Sequence, residues 1–93
     1  MKVMLVEGSR DVRIGLGLQL REQGHDVVEC ASGRDALLLA AYYAADLLVS
    51  GDVLPDMTCR QLVAELRQWS PQLSAPVVVL KPNAGGLPAL HVH

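Results

Sequence analysis

Short apolar runs separated by amphipathic stretches set the plan of this chain. The first run, Val3-Met4-Leu5-Val6, is closed by Glu7-Gly8, and its length and valine content predict a strand over Lys2 to Val6 buried on both faces. Ser9 then offers an N-cap with Asp11 in the first turn, and Val12, Leu16 and Leu20 recur every four residues until Gly24. That spacing predicts a helix with one buried face. Ile14 and Leu18 add a second apolar stripe about 200° round the same helix, and Gly15 and Gly17 each cost roughly 1 kcal/mol against Ala. Residues 12 to 20 also alternate apolar and other, so a strand is the competing reading of that stretch.

His25 to Cys30 predicts a second strand, and Ser32-Gly33-Arg34-Asp35 is a capping box that opens a helix running to about Ala44. Leu47-Leu48-Val49 marks a third strand over Asp46 to Ser50, followed by a loop with Gly51, Asp52, Pro55 and Asp56. Thr58 and Gln61 form another capping box, for a helix that presents Leu62, Val63 and Leu66 and stops before Pro71. Pro76 starts the fourth strand, Val77-Val78-Val79-Leu80. Beyond Lys81, the residues Pro82, Gly85, Gly86 and Pro88 predict an irregular tail over 82–93. Strands alternating with helices form βαβ crossovers, which predict an α/β fold with a parallel sheet of about four strands and flanking helices. In such a sheet ligands meet the carboxyl ends of the strands, so Glu7, Gly8, Ser9, Gly51, Asp52 and Lys81 are expected to converge there.

Ninety-three residues allow one domain, and 51% apolar with 19% charged residues suits a packed core. The mean hydropathy is +0.26. The longest uncharged apolar run, Ala36 to Ala45, has ten residues, against roughly 20 for a membrane span. The four apolar residues before Glu7 fall short of the roughly 7–15 in a signal-peptide core, so a cytoplasmic location is expected. Cys30 and Cys59 are then expected to be buried free thiols. A net charge of −2 without a basic cluster argues against direct nucleic-acid binding. Gly15-Leu16-Gly17 lacks the third glycine of a dinucleotide loop, His91-Val92-His93 lacks further metal ligands, and Ser50 sits in no nucleophile elbow. No enzyme constellation emerges, and the apolar excess of so small a domain points to a partner.

Several local patterns together carry a family resemblance. Val3-Met4-Leu5-Val6-Glu7, the run from Gly24 through Val27, Val28, Ala31 and Ser32-Gly33-Arg34-Asp35-Ala36-Leu37, and Asp46-Leu47-Leu48-Val49 followed by Leu54-Pro55-Asp56-Met57 are all in consistent spacing. Along residues 1 to about 81 the chain resembles the receiver domain of bacterial two-component response regulators. The resemblance implies a flavodoxin-like fold, here degenerate and truncated, with domain limits of 1–81 and a tail over 82–93.

The family takes a phosphoryl group onto an aspartate at the end of the third strand, beside a Mg²⁺ ion held by that aspartate and an acidic pair after the first strand. By that resemblance Glu7 fills the first acidic position, Gly8 stands at the second, and Gly51 stands at the acceptor position. Asp52 is the candidate substitute phosphoacceptor, with Glu7 and Asp52 the candidate Mg²⁺ ligands if the phosphorylation site survives. Strand alternation points Asp52 to the face opposite residue 51 unless the strand bulges. Lys81 is the candidate cation. It stands either where the family has Thr or Ser after the fourth strand, or as the lysine that follows the fifth.

A chain short of the family's last strand and helices is expected to leave the fourth strand as an open edge. Ile14, Leu18, Leu38, Tyr42 and Tyr43 add apolar residues at positions the family keeps polar. Two functions therefore stand: a non-phosphorylated interaction or dimerisation module in signalling or transcriptional control, or an Mg²⁺-dependent phosphoacceptor using Asp52. The expected partners are a second copy, another signalling protein or output domain, or a histidine kinase.

Overall fold

The computed structural model describes residues 1–69, 75–82 and 88–92. In chain order these form β1 (Lys2–Val6), α1 (Arg10–Glu22), β2 (Asp26–Cys30), α2 (Gly33–Ala40), β3 (Leu47–Gly51), α3 (Cys59–Trp69), β4 (Val77–Pro82) and β5 (Pro88–Val92). The strands make one sheet in the order β2-β1-β3-β4-β5. The first four are parallel, as three βαβ crossovers require, with Val6 opposite both Cys30 and Ser50 and with Gly51 opposite Leu80.

The alternation of side chains across β1 and β3 divides the core. Met4, Val6 and Leu48 face α2 and α3, where they meet Ala36, Leu62 and Leu66. Val3, Leu5 and Val49 face the other way, against Leu16 and Leu20 of α1. Residues 12 to 20 are helical, and the helix turns Leu16 and Leu20 to the sheet while Ile14 and Leu18, which a strand would place on the same face, point away; Ser9 caps it by accepting the Val12 N–H. The second stripe stays outside, with Ile14 40% and Leu18 54% exposed.

Three expectations are corrected. The tail is not irregular throughout: Pro88–Val92 pairs antiparallel with β4, from Val78 opposite Val92 to Pro82 opposite Pro88. A sheet edge with unpaired N–H and C=O groups recruits the next extendable segment, and the two prolines sit at the strand ends, where a missing donor costs least. The fourth strand is consequently not an open edge. Residues 83–87 and 93 of that expected tail lie outside the described residues, as do Pro71 and the side chains of His91 and His93. The second helix ends at Ala40, four residues short of Ala44, and its last turn closes through the Tyr42 and Tyr43 N–H groups on the Leu39 carbonyl. Tyr43 then leaves the helix because its hydroxyl donates to the Asp26 carbonyl and its ring lies 5.8 Å from Lys2 Nζ.

Candidate functional site

Parallel β1 and β3 end side by side, so Glu7 and Gly51 meet at the carboxyl edge of the sheet. A Cβ on Gly51 would lie 2.5 Å from Glu7 Oε2. The carboxylate therefore rests on the space a side chain at residue 51 would take. Its other oxygen, Oε1, accepts the Ser9 N–H at 3.1 Å, and the Glu7 carbonyl accepts from Arg13 Nη1 at 2.8 Å. Next in the chain, a Cβ on Gly8 would lie 2.9 Å from both Cδ and Cγ of Pro55. The loop after β3 thus closes directly over the backbone at Gly8.

That loop is tied to α2. Asp56 accepts the N–H of Gly33 on Oδ1 and that of Arg34 on Oδ2, both at 2.9 Å, satisfying two donors that the first helical turn leaves free. The Arg34 and Gly33 N–H groups, in that order, hold the Asp56 carboxyl below its usual range. Because the folded value is the lower one, the stabilisation is present above the ordinary pKa of 3.8 and is lost as pH falls through the depressed value. Asp56→Asn is expected to flatten the acid limb of stability against pH, read by urea melts between pH 5 and the acid transition. An unchanged limb would mean that Asp56 does not anchor the loop.

Asp52 takes a different direction. Its N–H donates to the Leu80 carbonyl at 3.1 Å and its carbonyl accepts the Cys59 N–H at 2.9 Å, which fixes the backbone between β4 and the start of α3. The residue is exposed, and it lines a cavity of about 280 Å³ between α3 and β4 together with Cys59, Arg60, Val63, Arg67, Val77, Val79 and Lys81. Burial raises the Cys59 thiol above its ordinary value, a Ser50 hydrogen bond opposes this, and the Asp52 charge adds to the rise. Of the sequence-expected residues, Glu7 thus meets Gly51 and the Ser9 N–H, while Asp52 and Lys81 line one cavity. Lys81 lies on β4, directly beside β3 in the sheet, and no parallel fifth strand stands among the described residues.

Sequence reasoning missed that Arg60 and Arg67 line the same cavity as Asp52 and Lys81, although Arg60, Val63 and Arg67 have the i, i+3, i+7 spacing of one helix face. It also missed the Asp56 anchor, for which the sequence carries no local signal. Among the described residues, no helix is long and apolar enough to cross a membrane.

No family model matches the chain. It is 31% identical over 78 residues to the transcriptional regulatory protein KdpE of Mycobacterium tuberculosis, covering 84% of this chain and 33% of that protein. It is 37% identical over 73 residues to the sensor kinase CckA of Brucella abortus, covering 76% of this chain and 8% of the kinase. The chain thus spans about a third or less of the length of these curated relatives. Among solved structures it is similar to the chemotaxis response regulator CheY4 of Vibrio cholerae, with a TM-score of 0.81 and 29% identity over 89% of this chain and 69% of that one. The receiver domain of the hybrid histidine kinase CckA superposes with a TM-score of 0.77 and 31% identity, covering 85% of this chain and 73% of that domain. A 2-1-3-4 order of parallel strands, a loop closed over the ends of β1 and β3, and these relatives agree: the chain belongs to the receiver-domain family of two-component signalling.

Proposed function

We propose that this receiver domain works through protein–protein contact and carries no phosphoryl group, in two-component or transcriptional control. The observation that carries the reading is the Glu7 carboxylate resting on Gly51. Residue 51 stands at the acceptor position implied by the family resemblance, and as glycine it offers no nucleophile. Asp52 lines the α3/β4 cavity, whose lining among the described residues does not include Glu7.

The donor set does not fit Mg²⁺. That ion demands near-octahedral oxygen ligation and dehydrates reluctantly. Glu7 is a single carboxylate already accepting the Ser9 N–H, and it is flanked by two residues without side chains, Gly8 and Gly51. Among the described residues, no three or more His, Cys, Asp or Glu side chains group to hold a metal. On this reading the domain is a non-enzymatic cytoplasmic module whose partners are a second copy, an output domain or another signalling protein such as a histidine kinase, with no direct nucleic-acid contact. Intact mass after incubation with a small phosphodonor and Mg²⁺ tests it, with an unmodified folded protein as the expected result.

A further inference from the structure

The cavity between α3 and β4 and the outer face of α1 are opposite in charge and alike in plan. On α3, Arg60, Val63 and Arg67 follow one another along a single line at i, i+3 and i+7, and they face Val77, Val79 and Lys81 of β4 across the cavity. The floor is formed by Val77 and Val79, 5% and 4% exposed, with Arg60, Arg67 and Lys81 around it, and among the described residues Asp52 is the one carboxylate in the lining. On α1, Asp11, Ile14, Leu18 and Glu22 fall on one stripe directly opposite the half-buried Leu16 and Leu20. Two exposed apolar side chains thus lie between two exposed carboxylates, and a Cβ on the adjoining Gly15 would meet nothing within 4 Å. The neighbouring basic residue Arg21 is engaged by Glu29 at 2.7 Å, and the exposed Arg10 borders the stripe beside Asp11 at its start.

We propose that a second copy of this chain docks the Asp11-Ile14-Leu18-Glu22 stripe of its α1 into the α3/β4 cavity. Ile14 and Leu18 cover Val63 and the apolar floor beside it, and the flanking carboxylates meet Arg60 and Lys81. The proposal rests on the reading above, that the domain acts by contact, and names the partner and both surfaces. It also dictates the symmetry. Stripe and cavity lie on opposite faces of the sheet, because α1 packs on the Val3 and Leu5 side and α3 on the Met4 and Val6 side. The contact is therefore head to tail, and each copy added presents a fresh surface at either end. One helix face in one cavity falls at the small end of specific interfaces, under about 1,200 Å², so the association is weak and dynamic.

Sedimentation velocity on the 93-residue chain, from about 10 µM to about 1 mM, tests the proposal. The wild type is expected to grow past the dimer with concentration. Leu18→Lys removes the apolar centre of the stripe and sets a cation against the cavity. Arg60→Glu reverses a cavity charge at an exposed site in the first turn of α3, where an acid suits the helix end. Each variant alone is expected to weaken association at least about tenfold. Mixed in equal amounts they retain one intact stripe and one intact cavity, and are expected to stop at the dimer. A wild type that stays monomeric over the whole range, variants that assemble like the wild type, or a mixture that stays monomeric would each overturn the proposal. Intact mass of the same samples after phosphodonor and Mg²⁺ reads the underlying function separately, since a phosphoryl adduct would overturn that reading whether or not the chains assemble.

Discussion

Leu62→Ala is expected to lower the unfolding free energy by about 2–5 kcal/mol, the range for a fully buried leucine whose neighbours cannot close the cavity. Leu62 has no exposed surface and belongs to the cluster of Met4, Val6, Leu48, Leu66, Val77 and Val79, which joins α3 to three strands. A 93-residue domain has roughly 5–14 kcal/mol of stability in total, so this one truncation removes a large part of it. Leu18→Ala is the control. At 54% exposure on the outer face of α1 it is expected to change stability by no more than about 0.5 kcal/mol. The two should be compared by the shift in urea midpoint at unchanged slope. Equal effects would mean that the division into buried α3 face and open α1 stripe is wrong.

The second large effect lies at alkaline pH. Burial pushes the Cys30 thiol up from its ordinary 9.0 to about 11, the Asp35 charge adds to the rise, and Arg13 opposes it. The folded thiol keeps its proton to higher pH than the unfolded one. Its contribution to stability is therefore complete below pH 9 and is lost as pH climbs through about 11, amounting to about 2–3 kcal/mol. Tyr43, raised by its surroundings and by the charges of Asp26 and Asp46, acts in the same direction. Urea melts from pH 7 upward should show the fall, and Cys30→Ala should reduce it, leaving the part due to Cys59 and Tyr43. The same shift lowers the Cys30 thiolate fraction at neutral pH about 100-fold, so a thiol reagent should modify Cys30 only after unfolding. Rapid labelling of Cys30 in the folded protein would contradict the burial described here.

The parallel part of the sheet was legible because its strands are dense apolar runs bounded by caps and breakers. Val3 to Val6 and Val77 to Leu80 need no partner information to be read as buried strands. The capping boxes at Ser32 and Thr58 were equally plain, since the Ser32 hydroxyl accepts the Asp35 N–H and the Thr58 hydroxyl accepts the Gln61 N–H. β5 was not legible, because Pro88–Val92 follows a Gly/Pro cluster that breaks local order and pairs only once β4 offers an edge. The end of α2 was missed for a similar reason: a tyrosine hydroxyl reaching the Asp26 carbonyl is a tertiary contact.

At the site, the sequence displayed the glycines at 8 and 51 and the displaced Asp52. It could not display what fills the glycine positions. Glu7 lying over Gly51 and Pro55 over Gly8 are matters of side-chain direction and loop closure, which no spacing rule carries. That Asp52 and Lys81 line one cavity likewise depends on β4 standing beside β3.

On the proposed reading, the phosphoryl chemistry of the family is given up at Glu7 and Gly51 while the scaffold is kept. Intact mass spectrometry after incubation with a small phosphodonor and Mg²⁺, with wild type and Asp52→Ala run side by side, tests it most directly. The folded wild type and the variant are both expected to keep their unmodified mass. A phosphoryl adduct on the wild type that disappears in Asp52→Ala would contradict that reading and make Asp52 the working acceptor.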